Sequence, residues 1–255
     1  MKLGRKPATF TARALRGAAR MSAHLSPLGA PPAASNDYVA AVAAQSQGGW
    51  GTFLNDRIGD CVCADTAHTL MLRTANASSI VVPTDDDVLK LYEHFGYDPG
   101  DSSTDRGVNE SDMCDYLGQT GFLGHKSDAN ARVDQTNLDH LKWSIQLFGS
   151  CRIGIYVTQG AMDQFSSGHP WDFDPSLDLT VLGGHDVPLV RYEGDTLYCV
   201  TWGALQEVTP SFLQHYCEEV HVELFADWIR SQGTAPPGLD MAALALDLID
   251  LGPGT

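Results

Sequence analysis

The sequence has 255 residues, 43% of them apolar, and a formal net charge of −16 at pH 7, which allows one large domain or two small ones with a sizeable core. Six cysteines without a Cys-x-x-Cys pair favour neither a disulfide scaffold nor a structural zinc site. Because no apolar run approaches the length of a bilayer span, and none follows the basic start, we predict no membrane partner, signal peptide, metal or cofactor.

The first 50 residues differ from the rest of the chain in charge and composition. Residues 1–20 hold six of the 16 basic side chains and none of the 32 acidic ones; the six are Lys2, Arg5, Lys6, Arg13, Arg16 and Arg20. We predict a basic extended arm over residues 1–50 that lies outside the core. The acidic body argues against nucleic acid as a partner. The arm either anchors the chain to other protein subunits in an oligomer or assembly, or lies along its own domain as a pro-segment does.

A helix with a cysteine in its first turn is predicted over residues 61–76. Gly59 breaks the preceding chain, Asp60 is a good N-cap, and the apolar residues that follow have the spacing of a buried helix. The unpaired N–H groups and the dipole at a helix start favour a thiolate, which would lower the pKa of Cys61. The alternative is that Cys61 is a small buried apolar side chain, since cysteine is often buried.

The rest of the chain is predicted to place helices early and strands late, which is the order of an α+β fold. The expected helices are 84–95, 109–118, 137–148, one from 209 and a terminal one at 240–251; the strands are 151–157, a hairpin over 185–202 with its turn at 193–195, then 206–209 and 218–224. Residues 158–181 are predicted to form a loop over a cleft. In that loop, His169 and Trp171 either contact a ligand or hold the loop in place.

A cysteine at a helix start, a later histidine at a strand start and a hairpin that ends in Trp-Gly at 202–203 resemble the papain-like cysteine peptidases. The resemblance implies a papain-like domain with a helical half at about 51–150 and an antiparallel β half at about 151–255, separated by a cleft. It also implies that Cys61 attacks a carbonyl carbon and that His185 activates the thiol.

In that family, an amide side chain six residues before the nucleophile helps to form the oxyanion hole. Asn55 stands six residues before Cys61, whereas Arg57 stands six residues before Cys63. We therefore assign Cys61 as the nucleophile and Asn55 as an oxyanion donor, and we give Cys63 a packing role.

In the family, the third catalytic position is an asparagine just before Ser-Trp-Gly. This chain differs from the family at that position. The segment at 200–203 reads Val-Thr-Trp-Gly, without an asparagine. Only Thr201 is left to orient His185, so the residues support the fold better than they support the activity.

The chain also resembles an uncharacterised family of proteins from bacteria and tailed phages, which shares an Asn-Asp-x-x-Gly-Asp-Cys motif. The resembling segments span nearly the whole chain: Met-Lys-Leu-Gly-Arg-Lys-Pro at 1–7, the motif at 55–61, Gly-Tyr-Asp-Pro at 96–99, Leu-Phe-Gly at 147–149, Gly-Gly-His at 183–185, Thr-Trp-Gly at 201–203 and Pro-Gly-Leu-Asp at 237–240. This resemblance implies relatives rather than a substrate.

Two hypotheses of function follow. We place first a structural virion protein of a tailed phage (decoration, head or tail), built on a papain-like hydrolase scaffold and anchored by its arm; it would be made in the bacterial cytoplasm and located in the virion. This hypothesis accounts for the basic arm, the acidic body and the missing asparagine. The alternative is an active thiol peptidase or amidase that uses Cys61 and His185 on a peptide substrate such as a cell-wall peptide, in the bacterial cytoplasm.

Overall fold

A computed structural model of the protein describes residues 1–10, 12–77 and 79–225, together with Trp228, Ala243, Leu244, Leu246 and Asp247. The helices are α1 (Ala12–Leu25), α2 (Tyr38–Gln45), α3 (Cys61–Ala77), α4 (Asp85–His94), α5 (Glu110–Gln119), α6 (Leu138–Phe148), α7 (Gln159–Ser167) and α8 (Pro210–Tyr216). The strands are β1 (Ala129–Arg132), β2 (Cys151–Thr158), β3 (Val181–Glu193), β4 (Thr196–Thr201), β5 (Ala204–Val208) and β6 (Cys217–Leu224). Most of the predicted helix at 240–251 and the segment at 237–240 lie outside the described residues.

Side-chain caps fix several of the predicted helix starts. The Thr84 hydroxyl accepts a hydrogen bond from the Asp87 backbone N–H, and the Asp87 carboxylate accepts one from the Thr84 N–H, which forms a capping box at the start of α4. The side chains of Asn109 and Asn137 cap α5 and α6, where each accepts a hydrogen bond from a backbone N–H of the first turn. None of the helices in the described part of the chain is long and apolar enough to cross a membrane.

The strands form one antiparallel sheet with the order β1-β6-β2-β3-β4-β5. The α+β class, with helices in the first half and an antiparallel sheet in the second, is thereby confirmed. β1 forms one edge of the sheet although it precedes residue 151, where we expected the β-rich half to begin.

Two apolar clusters form the core. The first lies on one face of the sheet and includes Val187 and Leu189 of β3, and the second surrounds α3 and includes Val190 of the same strand. Because successive residues of a strand point to opposite faces, β3 contributes side chains to both clusters. Of the helices in this layer, α3 packs against β3 and β4 and α2 packs against β3, while α4 and α5 pack on α3; the candidate site lies where α3 begins, beside β3.

The expectation that residues 1–50 lie outside the core is wrong for α1 and α2. Met21 and Leu25 are buried in the first cluster, and Tyr38 and Val42 are buried in the second. Each of these helices has an apolar face. That of α1 packs against β1 and α6, and that of α2 packs against α3.

Two local predictions for the β half are also wrong. The predicted loop at 158–181 contains α7, which Thr158 caps at its start and which ends at Gly168 in the left-handed conformation (φ 72°). β3 begins at Val181, so that His185 lies inside the strand rather than at its start. The glycines at 183–184 do not interrupt β3, since the arm packs directly on them.

Candidate active site

Cys61 begins α3 in a fully enclosed position. The Asp60 carbonyl accepts hydrogen bonds from the backbone N–H groups of Cys63 and Ala64, which starts the helix. The Cys61 residue is only 1% exposed, and Cys63 lies in the core of the helical layer. All six cysteines fall within the described residues and are free.

His185 is held from two sides on β3, where it pairs with Ile155 of β2. Its Nε2 lies 2.8 Å from the Thr201 hydroxyl oxygen, and its ring stacks on the indole of Trp202 with centroids 4.6 Å apart. Its Nδ1 is buried and has no hydrogen-bond partner among the described residues. One face and one nitrogen are thus fixed, and the other nitrogen stays available for proton transfer.

The residue that follows His185, Asp186, lies close to the Cys61 sulfur. The Cys61 sulfur lies near the backbone of Asp186 and near the backbone of Gly4 in the arm, and both oppose the rise in its pKa. The start of α3 and the segment of β3 that follows His185 are therefore neighbours, and the arm lies beside both.

Asn55 lies beside Asp60, the residue before Cys61, and its amide is occupied. The amide nitrogen donates to the Asp60 carboxylate (3.1 Å) and to the Ile58 carbonyl oxygen (3.3 Å). Both amide N–H groups point at these acceptors, so Asn55 does not point a free donor at a substrate oxygen in this conformation. Burial raises the pKa of Asp60 to about 8, against the effect of the hydrogen bond from Asn55. The Cys61 backbone N–H at the start of α3 is the other candidate oxyanion donor.

Burial makes both partners of the pair neutral. It raises the pKa of Cys61, and the nearby Asp186 carboxyl adds to the rise while backbone hydrogen bonds oppose it. Burial, followed by the charge of Arg5, lowers the pKa of His185 to about 3. The expected lowering of the thiol pKa by the helix start is therefore absent while the arm is in place, because desolvation outweighs the dipole.

Residues 2–7 of the arm lie in the groove between the helical layer and the sheet. The Arg5 N–H donates to the Gly184 carbonyl (3.1 Å) on the β3 side, and Lys6 N–H donates to the Val108 carbonyl (3.0 Å) on the helical side. Val108 N–H in turn donates to the Gly4 carbonyl (2.9 Å). The arm is therefore hydrogen-bonded to both walls, directly over the thiol.

Glycines make this close fit possible. A Cβ at Gly4 would overlap the Gly59 carbonyl oxygen, and a Cβ at Gly107 would overlap the Gly4 carbonyl oxygen. Gly107 also has a positive φ of 69°, which other residues rarely adopt. The groove is thus shaped for a glycine backbone at the point where the arm passes the thiol.

A buried arginine, Arg152, contacts both segments that carry the candidate site residues. The Arg152 guanidinium donates to the Asp186 carboxylate, to the Val62 carbonyl (3.1 Å) and to the Thr66 hydroxyl (2.9 Å). Because Val62 follows Cys61 and Asp186 follows His185, one side chain ties together the two segments that carry the site. The sequence contains no local signal for this role, since it depends on contacts more than 30 residues apart.

The predicted ligand contacts of the 158–181 segment are not at the site. Trp171 is fully buried, where its indole N–H donates to the Ala161 carbonyl (2.9 Å) and its ring packs edge-on against Trp202. His169 Nδ1 lies 2.8 Å from the Ser167 hydroxyl. Trp171 therefore holds this segment in place and supports Trp202, the ring on which His185 stacks.

Among the described residues, Glu110, Glu219 and His221 bring potential metal-ligand atoms within 4.8 Å of one another. Two guanidinium groups already serve as the cations of this cluster, because Arg5 and Arg132 both donate to the Glu219 carboxylate. This arrangement fits an ion-pair cluster better than a metal site.

Replacement of Thr201 tests how His185 is held. We expect Thr201→Val to lower the free energy of unfolding by about 1–3 kcal/mol, because a buried imidazole nitrogen loses its partner. Thr201→Ser keeps the hydroxyl and should stay within about 1 kcal/mol of the wild type. Urea unfolding of the three proteins measures both values; equal stability of the valine and serine variants would contradict the role of this hydrogen bond.

Comparisons with known proteins find similarity only in structure. No family model matches the sequence, and no curated protein matches it. Xylellain, a cysteine protease from Xylella fastidiosa, is 15% identical, with a TM-score of 0.61 over 87% of this chain and 95% of that one. The proCathepsin B S9 from Trypanosoma congolense is 12% identical, with a TM-score of 0.52 over 89% of this chain and 84% of that one.

A third similar structure comprises the cysteine protease and lectin-like domains of Cwp84, a surface layer associated protein of Clostridium difficile. It is 8% identical, with a TM-score of 0.53 over 86% of this chain and 60% of that one. None of these findings bears on the resemblance to a phage family, which stays a prediction. All three similar structures are cysteine proteases, and the chain has the papain-like fold that the sequence predicted.

Proposed function

We propose that this protein is a thiol hydrolase of peptide or amide bonds, with Cys61 as nucleophile and His185 as general base, and that residues 2–7 hold it inactive in the form described here. The observation that carries this proposal is the position of the thiol, which lies near the backbone of Asp186, the residue next to His185, and near Gly4 of the arm. The papain-like fold supports the same reaction class at the level of the fold.

The mechanism begins when the arm leaves the groove. Water then reaches the thiol, its desolvation falls, and the helix start favours the thiolate. His185 accepts the thiol proton at Nδ1, which has no hydrogen-bond partner in the described part of the chain, while Thr201 holds Nε2. The thiolate attacks the substrate carbonyl carbon, and the Cys61 backbone N–H donates to the oxygen that becomes negative.

The second half of the reaction releases the products. The protonated His185 gives its proton to the leaving amine, which departs and leaves a thioester on Cys61. A water molecule, deprotonated by His185, then attacks the thioester carbonyl and restores the thiol. Asn55 becomes a second oxyanion donor in this scheme if its amide turns away from Asp60.

Hydrolysis of a mixed library of fluorogenic peptide amides tests this function. We use full-length Gly4→Ala, because the added methyl group overlaps the Gly59 carbonyl and displaces the arm without changing Cys61. We expect it to release the fluorophore at least about tenfold faster than the wild type. Cys61→Ala or His185→Ala on this background should abolish the gain; activity that survives the loss of Cys61 contradicts the proposal.

The virion hypothesis gains no support from the fold, the site or the similar structures. An assembly role for the arm, and a location in the virion or the bacterial cytoplasm, therefore stay predictions. In the single chain described here, the arm lies in the groove of its own domain, which is the arrangement expected of a pro-segment.

A further inference from the structure

Among the described side chains of the arm, Arg5 is the most completely enclosed charged group. Its side chain is 0% exposed. One terminal nitrogen donates to Glu219 (2.9 Å), the other donates to Glu218 (2.7 Å), and Nε lies 3.7 Å from Glu110. Each of the three guanidinium nitrogens therefore faces a different carboxylate.

The walls around this side chain are shaped for it. Gly154 lies on β2 beneath it, and a Cβ at this position would come within 2.9 Å of the Arg5 Cδ and Nε and would overlap the Glu110 carboxylate. The Tyr156 ring lies alongside, with its centroid 5.3 Å from the guanidinium carbon. A neutral glycine floor and an aromatic wall leave a slot that fits a flat, delocalised cation.

The charge balance of the pocket depends on a guanidinium that the arm supplies. Without Arg5, the cations left near these carboxyl groups are Arg132 at Glu219 and Arg152 near Glu110, since burial lowers the pKa of the nearby His221; burial also raises the pKa of Glu110. Both carboxylate oxygens of the buried Glu110 lack a hydrogen-bond partner among the described residues, even with Arg5 in place. The wall of the pocket is therefore not satisfied by the rest of the fold and is suited to a cation from outside it.

The pocket is one residue along the bound peptide from the thiol. The Gly4 backbone lies near the Cys61 sulfur, and the next residue, Arg5, donates its N–H to the carbonyl of Gly184, directly before His185. A peptide whose backbone lies over the thiol in the path of the arm therefore presents a neighbouring side chain to the three carboxylates.

We propose that Glu110, Glu218 and Glu219 form a substrate subsite for an arginine side chain, and that Arg5 occupies this arginine pocket in the arm-bound form. The inference rests on the proposed function and deepens it, because it names arginine-containing peptides as the substrate class. Lysine fits less well, since a single ammonium group cannot face three carboxylates that surround a planar fork.

Calorimetric titration of the full-length Arg5→Ala variant tests the pocket without any need for hydrolysis. The probes are Nα-acetyl-arginine N-methylamide and its citrulline analogue, which has nearly the same shape and no charge. We expect Arg5→Ala to bind the arginine probe at least about tenfold more tightly than the citrulline probe. The wild type should bind the arginine probe at least about tenfold more weakly than Arg5→Ala does, because Arg5 fills the pocket.

A second substitution on the Arg5→Ala background locates the binding. Glu219→Gln should reduce arginine binding to the citrulline level, whereas Glu193→Gln, at an exposed carboxylate paired with Arg191, should leave it unchanged. Gly4→Ala serves as an independent form in which the arm is displaced, should Arg5→Ala fail to fold. Equal binding of the two probes to both forms overturns the pocket.

The outcomes for the pocket and for the proposed hydrolase are distinguishable. Selective binding of the arginine probe without hydrolysis of any peptide amide supports the pocket and contradicts the enzyme. Hydrolysis that depends on Cys61 but shows no preference for arginine over citrulline supports the enzyme and overturns the pocket.

Discussion

Gly4→Ala is expected to raise the rate at which iodoacetamide alkylates Cys61 by about 100-fold or more at pH 7.5. In the arm-bound form the thiol is buried, and its pKa is raised by desolvation and by the Asp186 carboxyl. The Cβ of alanine at position 4 would overlap the Gly59 carbonyl, so the arm must move and water must reach the sulfur. Once the thiol is hydrated, its position at the start of α3 acts in the opposite direction and favours the thiolate.

Mass spectrometry of the Cys61 peptide over a time course measures this rate, and Gly48→Ala is the matched control. Gly48 has open space around its Cβ position and no positive φ, so the same chemical change leaves the arm seated. On the Gly4→Ala background, His185→Ala should slow labelling if His185 draws the proton from the thiol. Equal labelling rates for the wild type and Gly4→Ala would show that the arm does not protect Cys61.

Arg152→Met is expected to lower the free energy of unfolding by about 3–5 kcal/mol, the range for removal of one partner of a buried ion pair. The guanidinium is almost fully buried and lies 3.4 Å from the carboxylates of both Asp65 and Glu223, besides its bond to Asp186. Without it, these carboxylates stay buried without their main cation. Arg191→Met is the matched control, because the pair of Arg191 with Glu193 is exposed and such pairs contribute about 1 kcal/mol or less.

The loss in free energy of unfolding caused by Arg152→Met should depend on pH. In the wild type, burial already raises the pKa of Asp65 to about 6, and Arg152 opposes this rise. Removal of Arg152 raises the folded-state pKa values of its carboxyl partners further above their unfolded values. When a carboxyl has a folded-state pKa above its unfolded value, the protein loses stability as the pH rises through that folded-state pKa. The loss in free energy of unfolding caused by Arg152→Met should therefore be larger at pH 8 than at pH 5.

Urea unfolding at the two pH values checks this sign. A penalty that is equal at pH 5 and pH 8, or larger at pH 5, would show that the carboxylates beneath the site are not what Arg152 stabilises.

Local sequence signals predicted most of the secondary structure correctly. The Thr84 capping box, the asparagine caps of α5 and α6, and the turn between β3 and β4 each lie within a few residues of the element that they define. The same kind of signal was present at Thr158 and Gly168, which bound α7, although we expected a loop there. The loop prediction at 158–181 was therefore wrong although both local signals, a cap and a helix-ending glycine, were present in the sequence.

The location of the arm did not follow from its sequence. The glycine and the basic charge of residues 2–7 were equally compatible with contacts to another subunit. The groove glycines at 59, 107 and 184 come from three distant segments, and only their convergence creates a path for residues 2–7.

The sequence by itself determined the α+β order of elements and the start of α3 at Cys61, because apolar periodicity and strand patterns act over a few residues, whereas the candidate pair of Cys61 and His185 rests on the resemblance to papain-like peptidases. The tertiary structure alone decided that the thiol is buried and neutral, that Asn55 bonds to Asp60, that Arg152 braces the site and that three carboxylates enclose Arg5. Desolvation and ion pairing depend on what surrounds a group in space, and the surrounding groups here come from segments far apart along the chain.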